Sequence, residues 1–380
     1  MILSSKKIVF LSGTRADFGK MKSLISLCEQ ETSLEVHIFV TGMHMSKKYG
    51  STFEEIRKES YPNIFLGKSH DELHYMDLML AKTIEEFSEY VREINPDMIV
   101  VHGDRLEALA GATVGAFNNI LVAHIEGGEV SGTIDESIRH AISKFAHLHF
   151  VANEEAEKRL VQMGEEARTI FVIGSPDFDI IVRNKTSLEY IKKYYDIAFD
   201  EYALALFHPV TTEQETLKQQ SRAYCEALVA SKKNYVVIYP NNDLGTEIIL
   251  DDIEHYFKDN PCFKIFPSLR FEYFSILLKH AEFIIGNSSA GVRESIFYPT
   301  FAINVGNRQI NRTKNVATIQ NVEANKNTIL QAIEKLKIMG IPEKENCTLY
   351  GEGKSSERFV EILKQENIWL RNIQKQFVDV

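Results

Sequence analysis

Only four cysteines occur in 380 residues, Cys28, Cys225, Cys262 and Cys347, and no two form a C-x-x-C pair. That spacing fits neither a zinc site nor a disulfide framework, and reads as thiols of a reducing compartment. Nine prolines and 20 glycines leave no room for a fibrous or long low-complexity section. A spanning apolar run is missing as well. The longest stretch without a formal charge, Ala108 to Ile125, is broken by Gly111, Gly115 and Asn118-Asn119 into a helix followed by a strand. The apolar run Ile8–Leu11 is too short for a secretory signal, and no small-residue cleavage site follows. A soluble, cytoplasmic chain without a membrane partner is expected. A basic excess is also absent: 43 Lys and Arg against 53 Asp and Glu give a net charge of −10. Such a chain has no field to attract a nucleic-acid backbone, so any phosphate it binds needs a local pocket.

The sequence does contain a repeating α/β grammar, in a chain about two and a half times the usual domain length. β-Branched runs at 7–11, 35–40, 97–101, 120–125, 149–152 and 170–173 alternate with helical patterns at 21–30, 78–93, 105–118, 137–145 and 154–163. Apolar, two-sided strands separated by helices predict a parallel sheet covered on both faces. After a polar stretch near 183–200 the grammar restarts, with strands at 202–207, 235–238, 263–266, 283–285 and 300–304 and helices at 213–231, 246–258 and 271–280. The expectation is α/β: two doubly wound, Rossmann-like domains facing a cleft that holds the site, at 1–178 and 179–358. A final helix spanning 355–370, with the single tryptophan Trp369, is expected to cross back, leaving 359–380 packed on the first domain.

Polar motifs follow several strands. Ser12-Gly13-Thr14-Arg15, with Lys20 a turn later, is either a phosphate cradle using the Arg15 fork or a plain strand-to-helix turn. His102-Gly103-Asp104-Arg105 and Glu126-Gly127-Gly128-Glu129 each put a carboxylate just past a buried strand, where doubly wound sheets place their chemistry. Asp135 and Glu136 open the helix that carries Arg139 and His140, and are either acid/base groups or acids complementing the helix dipole. His140, His147 and His149 lack the i, i+4 spacing of helical zinc ligands, so no metal site is expected.

In the second half, Gly286-Asn287-Ser288-Ser289-Ala290-Gly291-Val292-Arg293-Glu294 follows a strand. Small residues there let amides and hydroxyls approach a diphosphate, and Glu294 can accept two ribose hydroxyls. An ordinary N-capped helix would use the serines but leave Glu294 unexplained. His208 ends another strand, as a phosphate contact or a satisfied core histidine, and Arg308 lies in a third loop of the same half.

Taken together, these segments resemble the UDP-N-acetylglucosamine 2-epimerase family, and within it the hydrolysing branch of sialic and legionaminic acid synthesis. The likeness runs through Gly13–Asp17, His102–Arg105, His124–Thr133, Asp135–His140, Gly286–Ser289 and Gly351–Lys354. It implies a GT-B type fold, no cofactor, a UDP-sugar substrate and a UDP product. Its acid/base carboxylates map onto Asp104, Glu126 and Asp135. Its UDP contacts map onto Arg15, His208, Asn287, Ser288, Ser289, Gly291, Glu294 and Arg308, with Lys20, Arg105, Arg139 and His140 at the sugar or in support. It also implies a homodimer or a pair of dimers. The non-hydrolysing branch carries His-Arg-Arg-Glu where this chain has His208-Pro209-Val210-Thr211, and an Arg-Thr pair soon after Glu-Ala-Gly where it has Glu129-Val130-Ser131. Both departures favour hydrolysis. Tyr239–Asp243 and Phe266–Phe271 are similar to the legionaminic-acid branch, whose substrate is UDP-2,4-diacetamido-2,4,6-trideoxyglucose.

Overall fold

The structure, a computed structural model, describes residues 5–73, 75–298, 300–309, 312, 316–340 and 350–379. Cys347 lies outside them. The chain divides into two compact units, one of residues 1–129, 135–184 and 348–380, the other of residues 130–134 and 185–347.

The first unit holds strands β1 (Lys6–Ser12), β2 (Leu34–Val40), β3 (Ile64–Leu66), β4 (Met98–His102), β5 (Leu121–Ile125), β6 (Leu148–Val151) and β7 (Ile170–Val172). They form one sheet in the order β3-β2-β1-β4-β5-β6-β7, with every pairing parallel. Side chains of β1 alternate between two buried faces, as a strand period of two requires. Ile8 and Phe10 pack with Met21, Leu24 and Ile25 of helix Arg15–Cys28, while Val9 and Leu11 pack with Phe87 and Val91 of helix Met76–Ile94 and Ala108 of helix Leu106–Phe117.

Residues 350–379 group with this unit. Phe359, from helix Ser355–Leu363, lies against Phe10 and Phe150, with ring centroids 6.4 and 4.6 Å away. One helix over 355–370 was expected; the structure has two, the second being Glu366–Trp369. The break is held by the Trp369 indole, whose Nε1–H donates to Leu363 O at 2.8 Å and satisfies a carbonyl that the first helix leaves open.

The second unit repeats the plan with β8 (Ala203–Leu206), β9 (Tyr235–Ile238), β10 (Phe263–Phe266), β11 (Phe283–Gly286), β12 (Phe301–Val305) and β13 (Ile319–Val322). The order is β10-β9-β8-β11-β12-β13, again parallel. Its core gathers Ala203, Ala205, Tyr235 and Ile285 with Leu217, Tyr224 and Leu228 of helix Gln214–Ser231 and Ile329 and Ile333 of helix Lys326–Met339. Both sheets reverse strand order once near the middle, between β1 and β4 and between β8 and β11. In open α/β sheets ligands bind beyond the carboxyl ends of the strands at such a reversal. No helix among the described residues is long and apolar enough to cross a membrane.

Candidate active site

In the first unit the candidate residues follow β1, β4 and β5. Helix Arg15–Cys28 begins earlier than apolar periodicity suggests, because Thr14 and Asp17 close a reciprocal capping box. Asp17 also accepts from Ser12 Oγ at 2.5 Å and from the Gly13 amide at 3.0 Å. Burial pushes its carboxyl above the ordinary value despite these donors. Arg15 turns its fork onto Glu55, with Nε 2.8 Å from Oε2 and Nη2 bonded to Oε1. Lys20 sits 3.3 Å from Asp177, which is fully buried.

Past β4, Asp104 pairs with Arg139, which is itself almost fully buried and donates to Glu129 O at 3.0 Å. Arg105 is the N-cap residue of helix Leu106–Phe117. Past β5, Glu126 is 5% exposed and holds a left-handed backbone with φ of +66°. That region is unfavourable for a residue with a Cβ by about 1–2 kcal/mol, and such outliers cluster where function constrains the chain. Its Oε1 accepts from Ser175 Oγ, and its Oε2 lies 3.5 Å from His102 Nε2. Asp135 is buried in the first turn of helix Ile134–Phe145. On the same helix His140 sits 3.7 Å from Glu136, and burial holds its imidazole below the usual value.

Two fully buried histidines frame these loops. His124 Nε2 faces Gly103 O at 2.8 Å, and its Nδ1 meets Ser143 Oγ at 3.1 Å. A carbonyl only accepts, so Nε2 carries the proton and His124 ties the Asp104 turn to helix Ile134–Phe145. His44 bridges Ser12 Oγ at 3.0 Å and Thr52 Oγ1 at 2.7 Å. Burial lowers each imidazole from 6.5 to about 3. In the unfolded chain both protonate near 6.5, so acidification from there toward pH 3 favours unfolding. Stability is expected to fall by about 1.4 kcal/mol per pH unit for each histidine. Urea unfolding across that window checks this; a flat profile would mean the imidazoles are not held neutral.

In the second unit the candidates gather at the β8/β11 reversal. The Asn287 side chain clamps the His208 backbone, its Oδ1 accepting from His208 N at 2.7 Å and its Nδ2 donating to His208 O at 2.8 Å. His208 Nδ1 accepts from Asn241 N at 3.0 Å, which leaves the proton on Nε2. Ser288 caps a single 3₁₀ turn, Ser289–Gly291, by accepting from Ala290 N at 3.4 Å. Past that turn the chain forms only the short helix Glu294–Phe297, with Glu294 buried at its start. Arg308 Nη1 and Gln309 Nε2 donate to Asn287 O at 3.4 and 3.0 Å, and Arg308 O accepts from Gly132 N at 3.0 Å.

The sequence reading did not single out Ser175, Asp177 or His44. The only signal was the Gly174-Ser175-Pro176 punctuation after β7, which marks a turn and nothing about what its hydroxyl meets.

A family model described as UDP-N-acetylglucosamine 2-epimerase matches residues 26–364. A UDP-N-acetylglucosamine 2-epimerase of Neisseria meningitidis serogroup B is 47% identical over 377 residues, 99% of this chain and 99% of that protein. A UDP-N,N'-diacetylbacillosamine 2-epimerase (hydrolyzing) of Legionella pneumophila is 34% identical over 371 residues, 94% of this chain and 96% of that one. Among solved structures, Methanocaldococcus jannaschii UDP-GlcNAc 2-epimerase in complex with UDP-GlcNAc and UDP aligns with a TM-score of 0.76 at 24% identity, covering 94% of this chain and 99% of that one. At that identity the likeness speaks for the fold. On the match of the family model and the extent of both relatives, the chain belongs to the UDP-N-acetylglucosamine 2-epimerase family.

Proposed function

We propose that the protein is a hydrolysing UDP-N-acetylglucosamine 2-epimerase that converts UDP-GlcNAc and water into N-acetylmannosamine and UDP, in nonulosonic acid synthesis. The observation that carries the reading is the buried Glu126 carboxylate, held on a left-handed backbone between Ser175 and His102. A carboxylate on a costly backbone conformation, with one oxygen bonded to a buried hydroxyl and the other 3.5 Å from an imidazole nitrogen, suits proton transfer better than general stability.

The C2 proton of a sugar is scarcely acidic, so its removal needs a positioned base together with departure of the anomeric diphosphate. The base takes the C2 proton, the C1–O bond to UDP breaks, and a C1=C2 double bond forms in a 2-acetamidoglucal. Water then adds its hydroxyl at C1, giving its other proton to a carboxylate, while an acid protonates C2 from the opposite face, which inverts that centre. Glu126 and Asp135 supply the pair, with Asp104, oriented by Arg139, assisting. In the other unit Arg308, His208, Ser288, Ser289 and Glu294 hold UDP, and amides and cations at the diphosphate stabilise the leaving group. Hydrolysis rather than reversible epimerisation is supported by His208-Pro209-Val210-Thr211, and by the name of the Legionella relative, a hydrolyzing 2-epimerase.

That name also favours a second reading, the same chemistry on UDP-2,4-diacetamido-2,4,6-trideoxyglucose. Incubation of each sugar nucleotide in deuterated water tests both. Free 2-epimer carrying deuterium at C2, released without an acceptor, is the expected result, and the preferred substrate decides between the readings. Release that requires an acceptor would point instead to a glycosyltransferase, and no release of either 2-epimer would end the proposal.

A further inference from the structure

The turn that holds Glu126 is fastened to the segment by which the chain re-enters the first unit. Ser175 is fully buried; its hydroxyl donates to Glu126 Oε1 and its amide donates to Tyr350 O at 2.7 Å. Around this point the two segments are zipped together. Asp179 accepts from the amides of Ser355 and Ser356 at 2.8 and 2.7 Å and from Ser356 Oγ at 2.5 Å. Tyr350 stacks on Phe178 with centroids 6.0 Å apart, and Arg358 Nη1 donates to Ile173 O at 3.3 Å.

The backbones themselves touch. Gly174 and Gly351 both have left-handed φ, +88° and +103°, and a Cβ on Gly351 would stand 2.9 Å from Gly174 Cα. Only glycine permits that approach. Chain stability alone does not call for the Ser175 hydroxyl to end on a carboxylate whose own backbone is strained. A proton-transfer group, in contrast, must be held near its productive geometry by neighbours that are themselves locked.

We propose that Ser175 is a positioning residue for Glu126, and that the return segment Tyr350–Ser356, bonded to the Gly174-Ser175 turn, is the frame that aims it. The inference rests on the reading of Glu126 as an acid/base group. It also makes residues 350–356 part of the catalytic geometry: a displacement there is transmitted to the carboxylate through one amide and one hydroxyl.

The test is steady-state kinetics on UDP-GlcNAc with wild type, Ser175→Ala and Gly351→Ala, alongside UDP calorimetry and thermal melts. Ser175→Ala is expected to lower kcat roughly 10²-fold, the scale of a misplaced catalytic group, with KM, UDP affinity and melting temperature unchanged. In a Glu126→Gln background the same change is expected to cost nothing further, because the hydroxyl acts through that carboxylate. Gly351→Ala, which alters neither side chain, is expected to reproduce the fall in kcat. Wild-type kcat in Ser175→Ala, or a further loss in the Gln background, would overturn the inference and leave the proposed activity standing. A wild type that releases no sugar would instead overturn the reading of Glu126, and the inference with it.

Discussion

Replacing Glu126 with Gln is expected to slow release of sugar from UDP-GlcNAc roughly 10²–10⁴-fold, the usual worth of one general acid/base group, while UDP affinity stays unchanged. The substitution keeps the shape of the side chain and an oxygen able to accept from Ser175. It removes only the ability to take up and give back a proton. Apart from Arg15, the groups proposed to hold UDP belong to the other unit, where His208, Asn287 and Arg308 form a separately bonded cluster. Asp135→Asn is expected to act in the same way. The double variant should fall little below the worse single one, because two proton-transfer groups serving one reaction do not contribute independently. Rapid-quench measurement of UDP release together with calorimetric UDP titration checks the expectation. Turnover within a few-fold of wild type in Glu126→Gln would remove that carboxylate from the chemistry.

How much of this was legible in the sequence depends on how each element is buried. The inner strands β1, β4 and β5 are covered on both faces, so they are continuous apolar runs bounded by polar loops, and pattern alone locates them. Of the four edge strands, β7 and β10 are found the same way, but β3 and β13 are not. β3 is three residues with Phe65 exposed, and β13, Ile-Gln-Asn-Val, is half polar with no fully buried residue, at the edge of its sheet among the described residues. Helix Lys326–Met339 was missed too, because only Ile329, Ala332 and Ile333 of its 14 residues are buried, too short a stripe to read as periodicity.

The candidate site was legible as chemistry but not as wiring. A carboxylate beyond β5 is visible in the sequence; its left-handed backbone and its grip by a serine 49 positions later are not. Arg15 reads as a free fork in a glycine turn, yet a carboxylate 40 residues downstream engages it. Domain bounds show the same limit. The expected bound falls at 178, whereas helix Pro176–Arg183 groups with the first unit, with Phe178 and Ile181 buried and Asp177 meeting Lys20. Residues 130–134, between two of the candidate acids, group with the second unit, and nothing local in Val130-Ser131-Gly132-Thr133-Ile134 announces it. Local pattern reports burial; it does not report which distant segment supplies the partner.

Gly286→Ala is expected to abolish UDP binding by disrupting the second sheet at its strand reversal. Gly286 ends β11 with φ of +134°, a region that residues bearing a Cβ scarcely visit. Space is the larger obstacle. A Cβ there would stand 1.8 Å from Leu206 O and 2.5 Å from Leu206 C, both backbone atoms of the neighbouring β8 and therefore unable to swing aside. Relief requires β8 and β11 to part where Asn287 N donates to Leu206 O at 3.0 Å and the Asn287 amide clamps His208. Strain at a special backbone angle, with loss of a buried hydrogen-bonded cluster, belongs to the small class of substitutions that cost about 4 kcal/mol or more. Gly291→Ala is the matched control. A Cβ on Gly291 meets nothing closer than 3.9 Å and its backbone is not left-handed, so the variant should melt as wild type does. If Gly286→Ala also melts like wild type and binds UDP with unchanged affinity, the close approach of β8 and β11 is not what shapes that end of the sheet.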